Sequence, residues 1–244
     1  MKNNENVLYR KKWIACGDSL TRGDFRFWKD SEGRERKESP VIWDAEWGMY
    51  KTYPWWIARR NDMTLVRDAY CGSTMALSKA YLEGAPGKTI EDRNPFSLER
   101  YLSLPKDADY LTLWFGTNDS EYTILGTIDD CDNTTYYGAW NQVLSYFREE
   151  MPNTKIGIII TYWGKKEWMD ATRAVAKKWE IPYLDFPGDP NLPCIFSKDE
   201  SLGIDSKLIS SIRKHFTLNE ENDHPNLEAH KYESVFIEAF LRSL

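Results

Sequence analysis

The sequence predicts an α/β fold, with three layers (α/β/α) built on a central five-stranded parallel sheet. Three observations point there. Five apolar runs of strand length occur along the chain. Amphipathic helical patterns separate most of them, and such alternation marks a parallel sheet covered by helices on both faces. One run, Ile156-Gly157-Ile158-Ile159-Ile160, is nearly continuous and β-branched, as a strand buried on both faces requires.

In chain order, strands are expected at 12–16, 64–69, 110–115, 155–161 and 182–185. A helix is expected at 53–60, with Trp55, Trp56 and Ile57 on its apolar side. A second, at 135–150, carries Trp140, Val143, Leu144 and Phe147 at helical spacing, and a third, at 167–179, carries Met169, Val175 and Trp179. The last, at 227–244, carries Tyr232, Val235, Phe236, Ala239 and Phe240. Three stretches break the alternation: 24–50, 73–95 and 186–222, the last with a short helix expected near 206–215. Each follows a strand carboxyl end, so each is expected either to rim a site or to cover a sheet edge. The 244 residues hold no Pro/Gly/Ser-rich linker and no repeat, so residues 1–244 are expected to form a single domain.

Composition narrows the function classes. Hydrophobic residues make up 41% and charged residues 29%, the balance of an ordinary globular protein rather than a disordered one. The net charge of -6 argues against nucleic acid as a partner. None of Cys16, Cys71, Cys131 and Cys194 forms a CxxC pair, so no zinc site is expected. Cys16 and Cys71 fit small buried hydrophobes at strand ends, and free thiols are expected. The N-terminus, Met1-Lys2-Asn3-Asn4-Glu5-Asn6, lacks a secretory apolar region, and no run approaches the ~20 residues that would span a bilayer. A cytoplasmic protein is expected, unless it leaves in a phage particle or by another non-classical route.

Three polar signals punctuate this frame. Gly17-Asp18-Ser19-Leu20 follows the first expected strand. Gly116-Thr117-Asn118-Asp119 closes the third. Asp223-His224-Pro225-Asn226 opens the last helical pattern. In doubly wound sheets the site lies outside the strand carboxyl ends, where Ser19 and Asn118 both fall. Ser19 at a strand-to-helix turn can serve as a nucleophile. The Asn118 amide can donate to an oxyanion, and Asp119 is expected to cap the following turn. His224 can act as base near neutral pH. Gly72 would let a backbone N–H approach a substrate closely. His230 falls inside the last helical pattern, either packed or facing solvent, and His215 in a charged, exposed stretch.

The blocks 13–21, 66–74, 113–119 and 222–230, in that order, resemble the SGNH branch of the GDSL esterases and lipases. The resemblance implies a flavodoxin-like SGNH hydrolase fold, a serine nucleophile at Ser19 and a base at His224. It also implies an oxyanion hole built from the Ser19 and Gly72 N–H groups and the Asn118 amide. The family commonly places a carboxylate three residues before the histidine, where this chain has Glu221. Asp223, next to the histidine, is the rival orienter. Asp68 and Tyr70 depart from the family pattern around Gly72. Neither a metal nor an organic cofactor is implied. Eleven tryptophans are many for this length, and Trp28, Trp43, Trp47 and Trp163 fall in candidate rim segments, where aromatic faces suit sugar rings. A small-acyl, acetyl-removing carbohydrate esterase is therefore expected, acting on a glycan or other small-molecule ester. The alternatives are a lysophospholipase- or thioesterase-like acyl hydrolase, and a glycan-binding or phage structural domain without turnover.

Overall fold

The computed structural model describes residues 6–26, 29, 32–34, 39–83, 93–192, 198–220 and 222–244. In chain order the elements are β1 (Lys12–Gly17), α1 (Ser19–Arg22), β2 (Trp43–Asp44), β3 (Met49–Tyr50), α2 (Tyr53–Asn61), β4 (Thr64–Ala69), α3 (Lys79–Leu82), β5 (Tyr110–Trp114) and α4 (Asp119–Tyr122). Then come α5 (Tyr136–Glu150), β6 (Lys155–Ile160), α6 (Lys166–Lys178), β7 (Tyr183–Asp185), α7 (Ser206–Phe216), β8 (Thr217–Asn219), β9 (Asn222–Pro225) and α8 (Leu227–Ser243).

Five strands form one parallel sheet in the order β4-β1-β5-β6-β7. The five expected strands are these five, each within a residue at either end. The pleat sorts the core. Ile14 and Cys16 of β1, Leu111 and Leu113 of β5, and Ile158 and Ile160 of β6 face a cluster with α5 and α6. Trp13 and Ala15, Tyr110 and Trp114, and Ile159 face the other way, towards α2 and α8. These clusters bury the sheet on both sides, which makes the three layers. On α5, Tyr136, Ala139, Trp140, Val143, Leu144 and Phe147 recur at the helical period and are buried. Thr135 caps that helix by accepting the Gly138 N–H. Burying the large Trp13 side chain also buries its indole N–H, which donates to Thr112 Oγ1 across the β1–β5 pair at 3.1 Å.

The strand order reverses between β1 and β5. Chain leaving their carboxyl ends diverges to opposite sides and opens a crevice there. The stretch 186–222 contributes α7 and β8, and β8 pairs antiparallel with β9. Asn226 then caps α8 by accepting the Ala229 N–H and donates to the carbonyls of His215 and Thr217. That clasp fixes the path of the chain just after His224. The stretch 24–50 differs from a simple rim. Its hairpin, β2–β3, brings Trp47 and Met49 beside Thr64 and Leu65 at the amino end of β4.

Candidate active site

Ser19 is the first residue of α1, directly past the end of β1. Gly17 is required there by space, because a Cβ would stand 2.2 Å from Thr21 Oγ1 and 2.9 Å from the Trp114 carbonyl. Asp18 caps α1 by accepting the Leu20 N–H at 2.8 Å. Its carboxyl is fully buried, and burial raises its pKa to about 7.

His224 closes on Ser19 from β9, with Nε2 2.9 Å from Ser19 Oγ. On the other side of the ring, Nδ1 lies 2.6 Å from Asn222 Oδ1, which also accepts the His224 backbone N–H. The Asn222 Nδ2 donates to the Arg26 carbonyl. This fixes the amide with its oxygen towards the ring, so Nδ1 carries the proton and the Nε2 lone pair faces the serine hydroxyl. Burial lowers the His224 pKa, and Asp24, whose Oδ2 is 3.8 Å from Nε2, pulls it back up. The Asp24 carboxylate is itself buried. Burial pushes its pKa up, but hydrogen bonds from the Arg26 guanidinium, together with the charges of His224 and Arg26, outweigh that and hold it ionised.

Neither expected carboxylate is seen orienting His224. Asp223 turns away to pair with Arg213, because the alternation along β9 puts neighbouring side chains on opposite faces. Glu221 lies outside the described residues. Asn222, two residues before the histidine, makes the bond instead. The sequence points to Glu221 or Asp223, or failing both to a backbone carbonyl, and a side-chain amide two residues before the histidine gives no signal of its own.

Gly72 adopts φ 79°, a left-handed conformation that favours glycine. Among the described residues nothing accepts the Gly72 or Ser19 backbone N–H. Asn118 reaches the same region. Its Nδ2 donates to the Ser73 carbonyl at 2.9 Å and makes a long contact, 3.4 Å, to Asp18 Oδ2. The amide thus ties the end of β5 to the Gly72–Ser73 turn. Asp68, at one of the family-divergent positions, pairs with Arg100, which also donates to Ser73 Oγ and the Asn94 carbonyl. Tyr70, at the other, lies under the Arg100 guanidinium.

Several expectations are corrected. Asp119 does not cap the turn that follows it. Its buried carboxyl instead accepts the Met75 and Ala76 N–H groups, and burial raises its pKa to about 7. Of the four tryptophans, Trp163 stands at the site, with its ring edge-on to His224 at 5.0 Å. Trp47 is at the amino end of β4, away from the crevice. Trp43 packs against Tyr50, which in turn meets Phe25. Trp28 lies outside the described residues.

The remaining titratable groups are accounted for more simply. His230 is fully buried, and burial lowers its pKa to about 3. His215 is exposed. Cys16 is buried, Cys71 partly buried and Cys131 exposed, all as free thiols, whereas Cys194 lies outside the described residues. Among the described residues no group of three or more His, Cys, Asp or Glu could hold a metal ion. Among them, too, no helix is long and apolar enough to cross a membrane.

No family model matches the sequence, and no curated protein matches it. Solved structures do match its fold. A protein from Lactobacillus plantarum superposes with a TM-score of 0.62 at 18% identity, covering 96% of this chain and 98% of that one. A protein of Bacteroides ovatus described as a GDSL-like lipase gives 0.62 at 17% identity, covering 96% and 99%. A family two carbohydrate esterase from Clostridium thermocellum, solved in complex with cellohexaose, gives 0.54 at 17% identity, covering 96% of this chain and 64% of that one. The chain has the SGNH/GDSL hydrolase fold.

Proposed function

We propose that this chain, having the SGNH/GDSL hydrolase fold, is a serine hydrolase of carboxylic esters. The observation that carries the reading is the 2.9 Å contact between Ser19 Oγ and His224 Nε2, with Nδ1 fixed by Asn222. His224 takes the hydroxyl proton as Ser19 Oγ attacks the ester carbonyl. The Ser19 and Gly72 N–H groups and the Asn118 amide hold the oxyanion. To do so, Asn118 must turn the N–H that now makes the long contact to Asp18. Collapse breaks the bond to the alcohol, which leaves with the proton from His224. Water then hydrolyses the acyl-enzyme by the same steps. His224 is suited to this because burial keeps it neutral, and therefore a base, at neutral pH.

The substrate we propose is a short-acyl ester of a carbohydrate, from which acetyl groups are removed. Trp163 supports this, as its aromatic surface stands beside the base and could carry a sugar ring. The likeness to an esterase solved with a cello-oligosaccharide points the same way. The resemblance to structures described as GDSL-like lipases supports a second reading, in which longer acyl chains are cleaved. Hydrolysis of p-nitrophenyl acetate, butyrate and octanoate, by wild type and Ser19→Ala in parallel, separates the two. Serine-dependent turnover fastest on acetate is expected. Turnover confined to octanoate would move the lipase-like reading ahead. Equal glycan binding by wild type and Ser19→Ala, with no hydrolysis by either, would favour a binding domain.

A further inference from the structure

The Gly72 turn has a charged neighbour that the chemistry above does not use. A Cβ on Gly72 would stand 3.4 Å from Arg93 Nη1, so the guanidinium borders the Gly72 turn. The Arg93 guanidinium carbon lies 3.4 Å from the centre of the Tyr122 ring, on the short helix that follows Asn118. Its Nε is enclosed and has no hydrogen-bond partner among the described residues. Among those residues no carboxylate pairs with it either. Other arginines differ in this respect: Arg26 is matched by Asp24, Arg100 by Asp68 and Arg213 by Asp223.

The backbone holds Arg93 in place. Residues 93 and 94 both take positive φ, 57° and 41°, which is costly for side chains larger than glycine. The Arg93 carbonyl accepts the Thr74 N–H, two residues beyond Gly72. A strained segment thus presents a flat cation, stacked on an aromatic ring, at the edge of the oxyanion pocket. The Nη edge of the guanidinium is the one that meets Gly72, and a planar anion would accept two parallel hydrogen bonds from it.

We propose that Arg93 is an anion-binding residue of the active site, and that the ester cleaved there carries a carboxylate or similar planar anion within reach of it. This rests on the ester-hydrolase reading and narrows its substrate class to acidic esters. The anion can sit on the alcohol part, as in an acidic sugar, or on the acyl part, as in a half-ester of a dicarboxylic acid.

Two matched pairs of esters test it. On the alcohol side, 4-acetoxybenzoate is compared with its neutral methyl ester. On the acyl side, phenyl hydrogen succinate is compared with phenyl butyrate. In one pair the wild type is expected to favour the anion, and Arg93→Met to lower the anionic-to-neutral ratio of kcat/KM by about ten- to hundredfold. The affected pair identifies the side that bears the anion. Arg93→Lys, which keeps the charge without the planar fork, is expected to restore part of the ratio. Ratios unchanged by Arg93→Met in both pairs would overturn the proposal.

Calorimetric binding of 4-acetoxybenzoate and phenyl hydrogen succinate to Ser19→Ala, with and without Arg93→Met, reads the anion site without turnover. Binding of either that is lost with Arg93 supports the site, and binding of both indifferent to Arg93 overturns it. Absence of serine-dependent turnover on every ester would instead remove the hydrolase reading alone.

Discussion

The Nδ1–H of His224 donates to the amide oxygen of Asn222 across 2.6 Å. A neutral amide therefore stands where a carboxylate was expected. It selects the tautomer, because its own nitrogen is bound to the Arg26 carbonyl and cannot turn to the ring. It stabilises an imidazolium less than a carboxylate would, since it brings no charge. Asn222→Ala is expected to lower kcat about ten- to hundredfold, the worth of one hydrogen bond to a charged group. Asn222→Asp is expected to raise the acid-limb pKa of kcat/KM, because the new anion favours protonated His224. A pH–rate profile of the two variants reads both effects.

Asp24 acts on the other ring nitrogen. Burial places the His224 pKa below its ordinary 6.5, and the Asp24 carboxylate opposes that. The proposed mechanism needs neutral His224, so kcat/KM should fall as pH drops through this lowered value. Asp24→Asn removes the opposing anion and leaves Arg26 uncompensated, and both changes disfavour the imidazolium. The acid limb is expected to move to still lower pH. A shift upward in the pH–rate profile would contradict the assignment.

Asn118 ties to the Ser73 carbonyl and, in the proposed mechanism, also donates to the oxyanion. Asn118→Ala is expected to reduce kcat on the order of 10²–10³-fold. Stability should fall by only about 1 kcal/mol, the net worth of one hydrogen bond. Steady-state kinetics beside chemical denaturation separate the two. Unchanged kinetics would remove Asn118 from the oxyanion hole.

Behind His224 lies a buried polar cluster. Tyr162 donates to Glu233 Oε1 at 2.7 Å, and Glu233 Oε2 is 3.7 Å from His230 Nδ1. Burial raises the Glu233 pKa from 4.5 to about 8. The folded state thus keeps a proton that the unfolded chain gives up at lower pH. Stability from this group is full below 4.5 and is lost as pH rises to about 8. Glu233→Gln keeps the acceptor for Tyr162 and does not titrate. Its melting temperature relative to wild type should therefore rise between about pH 5 and about pH 9. A difference independent of pH would show that Glu233 is already ionised in the fold.

The sheet was legible because each of its strands is a compact apolar run whose residues face two covering layers. Ile156–Ile160 needs no partner to be read. The placement of Ser19 and Asn118 at strand ends was legible for a related reason, as each follows such a run. What the sequence hid depends on side-chain direction and on crossing loops. Asn222 and Asp223 differ by one position, and only the pleat of β9 decides which meets the ring. Trp47 and Trp163 look alike as aromatic residues in long connections, yet they end at opposite ends of the sheet. Asp24 and Arg93 come from segments without periodicity, so nothing local announces that they border His224 and Gly72.

The central claim is that Ser19 is a nucleophile activated by His224. Labelling with a fluorophosphonate, followed by peptide mass mapping, tests it without knowledge of the substrate. Covalent modification of Ser19 in the wild type, strongly slowed in His224→Ala, is the result expected. Labelling of another residue, or none in the folded wild type, would contradict the account.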